Sequence, residues 1–132
     1  MAAFVVVAPS APSRIPRTGM RLNLFPGSAT PAVFAAGTAF WIGYGFVPES
    51  REAAAEDPGV DPETRFELEV DGEPVALVCD VKIEGGRTIL KVSAASFPTG
   101  LPAGWHRFAG RWYDTGKLVL TSDKTIEFVE RR

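Results

Sequence analysis

From Thr38 to Val47 the chain reads TAFWIGYGFV, with bulky apolar side chains recurring at every second position. A two-residue period belongs to an extended strand, because successive side chains leave a strand on opposite faces. Phe40, Ile42, Tyr44 and Phe46 then form a core-facing side, and Trp41, Gly43, Gly45 and Val47 the other side. On that second side the glycines bare the backbone beside a tryptophan, so a planar sugar ring or a partner strand could approach closely. The competing and preferred reading is that these glycines mark a bend or make room for a neighbouring element.

The middle of the chain supports a three-stranded meander. A four-residue turn over Asp71 to Pro74 sets Val70 opposite Val75, Leu68 opposite Leu77 and Phe66 opposite Cys79. A two-residue turn at Gly85-Gly86 sets Glu84 opposite Arg87 and Asp80 opposite Lys91 on the solvent side. The same register faces Val81 with Leu90 and Cys79 with Val92 on a buried side. Further along, His106 to Asp114 turns at Thr115-Gly116 into Lys117 to Thr121, followed by Lys124 to Val129. Phe108, Trp112 and Val119 share one expected face. Arg107, Arg111, Tyr113, Leu118 and Leu120 share the other, whose mixture of cationic and apolar groups is typical of interfaces.

Between these regions, Arg21 to Phe25 is a modest edge-strand signal ending at Pro26-Gly27. Ser50 to Glu63, SREAAAEDPGVDPE, reads as an acidic connection in which Ser50 caps a short helical turn through Ala55. Many short strands punctuated by Gly and Pro, without a long amphipathic helix, indicate an all-β sandwich or barrel.

The corner LPAGWHRF from Leu101 to Phe108, the closing KTIEFV from Lys124 to Val129 and the FELEVDGEPV segment from Phe66 to Val75 resemble parts of a bacterial immunoglobulin-like or fibronectin-type-III-like domain. The resemblance covers roughly Met20 to Arg132. It implies an immunoglobulin-like β-sandwich of about seven strands with one short helical or irregular connection near residues 50–62. The antibody-type cysteine pair is missing, and His106 stands where such corners often carry tyrosine.

Length and charge narrow the function classes. The 132 residues, 45% of them hydrophobic, suit one domain. It is expected over residues 20–132, after a flexible leader over residues 1–19 with prolines, serines, Arg14 and Arg17. A degenerate export signal or an upstream extension of a domain starting at Met20 would explain this leader, the extension being preferred, and the compartment, cytoplasmic or exported, is left open. The apolar run from Ala2 to Ala8 is too short to span a bilayer. A net charge of -2 gives no long-range attraction for nucleic acid.

Candidate chemistry is sparse. One histidine, His106, builds neither a triad nor a multi-histidine metal site, and it reads best as a corner residue bonded to nearby backbone. Cys79, the single cysteine, reads as a buried inert thiol. Glu56, Asp57, Asp61 and Glu63 do not match a calcium-loop spacing, and Gly85-Gly86 is explained by a hairpin turn. No catalytic group, metal or cofactor is expected. Contact candidates are Trp41, Gly43, Gly45, Trp105, Arg107, Arg111 and Tyr113, with Trp105 alternatively a lid over one end of the core. These residues suggest a non-catalytic binding or assembly module whose partner is another protein or a second copy. The alternative is a carbohydrate-binding module that stacks sugars on Trp41, Trp105 and Tyr113.

Overall fold

A computed structural model describes residues 4–7, 19–48, 60 and 62–130. The described residues fold as strands without a helix. These are β1 (Phe4–Val7), β2 (Met20–Arg21), β3 (Val33–Ala35), β4 (Phe40–Pro48), β5 (Arg65–Val70), β6 (Glu73–Val75), β7 (Val78–Glu84), β8 (Arg87–Phe97), β9 (Gly104–Asp114) and β10 (Lys117–Val129). One five-stranded sheet runs β1-β4-β8-β7, with β2 also on β4, and the other runs β3-β10-β9-β5-β6. Phe4–Val7, expected within the leader, pairs with β4 as an edge strand. The count exceeds the expected seven because β1 lies in the stretch read as leader, β3 is too short to leave an alternating signature, and β6 and β7 divide what reads as one strand.

The core lies between the sheets, and the inner face of β4 is as its alternation predicts. Phe40, Ile42, Tyr44 and Phe46 are fully buried. Facing them are Phe66 and Leu68 of β5, Phe108 and Trp112 of β9, and Ile126 and Phe128 of β10. Tyr44 meets Trp112 edge-on at 5.1 Å between ring centres, and Phe40 meets Phe108 at 6.2 Å. Each such side chain contributes about 1.5–3 kcal/mol through burial, so this aromatic layer dominates the packing.

The meander is corrected into two hairpins on different sheets. Asp71 and Gly72 both have positive φ, 54° and 81°, which makes a two-residue turn. Val70 therefore pairs with Glu73 and Leu68 with Val75, instead of Val75 and Leu77. Ala76 and Leu77 carry the chain to the other sheet, so Phe66 pairs with Trp112 and not with Cys79. The Gly85-Gly86 turn and the Glu84 to Arg87 pairing hold, but an irregularity between Lys82 and Ile83 shifts the rest. Asp80 then faces Val92, Val81 faces Lys91 and Cys79 faces Ser93. Cys79 is exposed, which corrects the buried thiol.

The last hairpin turns at Thr115-Gly116, and Asp114 pairs with Lys117 as its two-residue turn requires. A bulge between Leu118 and Leu120 places Leu120 opposite Trp112 and against the core, leaving Val119 exposed. These two positions exchange their expected faces. The edge signal at Arg21 to Phe25 pairs only through Met20–Arg21, while Leu22 and Leu24 go into the core. The helical turn expected from Ser50 to Ala55, and Glu56, Asp57 and Asp61, lie outside the described residues.

Candidate functional site

Four sequence candidates come together on one strand. Trp105, Arg107, Arg111 and Tyr113 occupy odd positions of β9 and point away from the core, because Phe108 and Trp112 take the even ones. Their neighbours are acids on the flanking strands. Arg111 donates through Nη2 to Glu69 Oε1 at 2.7 Å and lies 3.6 Å from Glu67. Arg107 donates through Nε to both carboxylate oxygens of Asp123, at 2.9 and 3.0 Å. The guanidinium of Arg65 stacks over Tyr113 with its carbon 4.2 Å from the ring centre. Hydrogen bonds to Asp123 and Glu69 hold Arg107 and Arg111 above their ordinary pKa, and the bond from Arg107 holds Asp123 below its own. This face is a self-neutralised ladder. Exposed pairs of this kind add little stability. Trp105 is 67% exposed and sits at its end opposite Glu127.

Trp41, Gly43 and Gly45 lie on the other sheet and do not join that group. Trp41 is only 8% exposed and clusters with Val92, Ala94 and Leu90 on the outer side of the β4-β8 pair. A Cβ at Gly43 would fall 2.8 Å from the Ala94 Cβ and 3.1 Å from the Trp41 ring. The glycine therefore makes room for its neighbours, in line with the preferred reading of the sequence. With Trp41 buried and Trp105 on a different sheet, the tryptophan pair that a sugar would stack on is not assembled.

His106 ties the corner together. Its Nε2 donates to the Pro102 carbonyl at 2.8 Å, and its Nδ1 donates to the Asp71 carboxylate at 2.6 Å. Both partners are acceptors, so this geometry selects the doubly protonated ring. Burial lowers the histidine's pKa, but the bonds to Asp71 and Pro102 and the Asp71 charge outweigh it and leave the pKa raised. Burial raises the Asp71 pKa, and the bonds from His106 and the Arg107 amide outweigh that and leave it lowered. Asp71 thereby pins the β5-β6 turn to the start of β9. The arrangement presents no nucleophile, and among the described residues no three potential metal ligands cluster.

Sequence reasoning missed an exposed apolar strand. β7 ends its sheet, and Val78, Val81 and Ile83 along it are 54%, 47% and 60% exposed. The available signal was the broken alternation of VCDVKIE, whose apolar residues fit no single face. Comparison of the chain with protein-family models, with curated proteins and with solved structures gives no match.

Proposed function

We propose that this chain is a non-catalytic assembly module built as an immunoglobulin-like β-sandwich, and that it associates through edge strand β7. The strand order supports the architecture. If β1, β4, β5, β7, β8, β9 and β10 are lettered A to G, one sheet runs A-B-E-D and the other contains G-F-C, the constant-type arrangement. The bond from His106 to the carbonyl of Pro102 serves as the corner tie that tyrosine supplies in such domains.

One observation carries the functional reading, the exposure of Val78, Val81 and Ile83 on a terminal strand. An edge strand offers unpaired N–H and C=O groups, and exposed apolar side chains along it favour strand addition. A second copy brings no like charges directly opposite one another, and Lys82 keeps Glu84 of its own chain at 3.6 Å. Antiparallel pairing about a two-fold axis at Val81 puts Asp80 of each copy opposite Lys82 of the other and Cys79 opposite Ile83. The carbohydrate alternative retains Trp105 and Tyr113, the latter already stacked beneath Arg65.

Light scattering across a concentration series tests this reading. A dimer is expected, and Val81→Lys, which brings two like charges together at the axis, should raise its dissociation constant at least tenfold. Val81→Cys should give a disulfide-linked dimer under mild oxidation, whereas Cys79 of the parent protein should not cross-link across the axis. A monomer up to millimolar concentration overturns the proposal.

A further inference from the structure

On the side of β4 away from β8, two strands pair with it and leave a gap. β2 takes Phe40 and Trp41, and β1 takes Gly45 to Pro48. The Gly43 carbonyl opens into that gap and is met by a side chain. Arg21 donates to it through Nε at 3.2 Å and Nη2 at 2.8 Å, with its guanidinium carbon 5.0 Å from the Tyr44 ring centre and 5.8 Å from that of Trp41. A cleft of about 340 Å³ opens beside it, lined by Val6, Arg21, Asn23, Phe25, Ser28 and Tyr44 among others.

Arg21 differs from the ladder arginines. Arg65, Arg107 and Arg111 each meet a carboxylate, whereas Arg21 meets none among the described residues. Burial works against its charge, with the electrostatic influence of Tyr44 acting the other way. A half-buried cation without a counter-ion is stabilised by any anion that reaches it. Its two bonds to Gly43 leave both Nη1 hydrogens and one on Nη2 for such a ligand.

Hydrogen bonds tie the walls together. Tyr44 Oη accepts from the Leu24 amide at 2.5 Å and donates to Asn23 Oδ1 at 3.1 Å. Asn23 Oδ1 also accepts from the Phe25 amide, while Ser28 Oγ donates to the Phe25 carbonyl at 2.5 Å and Thr30 Oγ1 to the Asn23 carbonyl at 2.8 Å. Burial pushes the Tyr44 hydroxyl up to about 12, so it holds its proton and this network throughout the neutral range. A preformed wall lowers the ordering cost of binding.

We infer that this cleft binds a small organic carboxylate with a planar apolar body. The carboxylate pairs with Arg21, and the body lies against Phe25 and Val6, with the buried Tyr44 behind them. Arg21 is the one basic residue among those named along the cleft, so it matches one negative charge better than a phosphate dianion. The volume lies at the small end of ligand sites and suits an acid with a single ring. This inference is independent of assembly, since β7 lies at the opposite edge of the sheet.

The test titrates the full chain with phenylacetate, phenylacetamide and inorganic phosphate, followed by amide NMR. Saturable shifts at residues 21–28 and at Tyr44 are expected with phenylacetate, with at least tenfold weaker binding of the uncharged amide and of phosphate. Arg21→Met should reduce phenylacetate affinity at least tenfold, and Val6→Phe, which fills the cleft from β1, should do the same. Equal binding of phenylacetamide, phosphate binding as tight as phenylacetate, shifts centred elsewhere or no saturation overturns the inference. Because the three-probe comparison uses the unaltered chain, it stands even if a variant fails to fold.

Discussion

The two sheets share one alternating rule yet turn opposite outer faces to their surroundings. On the β4-β8 pair, Trp41, Val92 and Ala94 are buried in an apolar patch fitted around Gly43. On β5, β9 and β10, Arg65, Glu67, Glu69, Arg107, Arg111 and Asp123 form a half-exposed to exposed network of ion pairs. Shape holds the first face and charge organises the second. Substitution on the first should therefore alter stability independently of salt, and on the second only weakly and with salt dependence.

Trp41→Ala should break the contrast most severely, costing about 3–5 kcal/mol in urea denaturation, with little change between low and high salt. Next comes Gly43→Ala, whose new methyl group collides with Ala94 and costs about 1–3 kcal/mol. If shape complementarity is the cause, adding Ala94→Gly should restore at least half of that loss. Lack of rescue in this double-mutant cycle would count against tight fitting as the explanation.

The charged face should respond to pH at its corner. His106 has a raised pKa, so its contribution is complete below its ordinary 6.5 and fades as pH rises through the folded value. Asp71 has a lowered pKa, so its contribution is complete above its ordinary 3.8 and fades as pH falls through the folded value. Their contact thus stabilises most between about pH 4 and 6.5. Asp71→Asn should cost about 1 kcal/mol in that window and flatten both flanks of the urea midpoint plotted against pH. Arg111→Ala should have the smallest effect, about 0.5 kcal/mol at low salt and less at high salt. A salt-independent loss as large as that of Trp41→Ala would erase the distinction between the faces.

Legibility in the sequence followed the same division. Period two located the core side of β4 and the odd face of β9, because an uninterrupted strand keeps its phase. It separated Trp41 from Tyr44 without showing that both would be buried, since burial of an outer face depends on what packs there. Phase was lost at the irregularities between Lys82 and Ile83 and between Leu118 and Leu120, where an inserted residue exchanges faces without a distinctive composition. Asp71-Gly72 did carry a turn signature, and treating it as the start of a longer turn displaced the following pairs. Nothing periodic marks Arg21. Its place beside the cleft comes from a gap between two strands that neighbour β4 from distant parts of the chain.

The parallel pairing of Val33–Ala35 with Glu127–Val129 also sets a timetable for synthesis. β3 emerges early from the ribosome, yet its hydrogen-bonding partner is made only after nearly all the remaining strands. Domains dominated by such distant pairings fold in roughly milliseconds to seconds, slowly compared with helical bundles. Until β10 leaves the exit tunnel, Phe34 lacks its ring contact with Phe128, so this pairing waits on the last of the described strands.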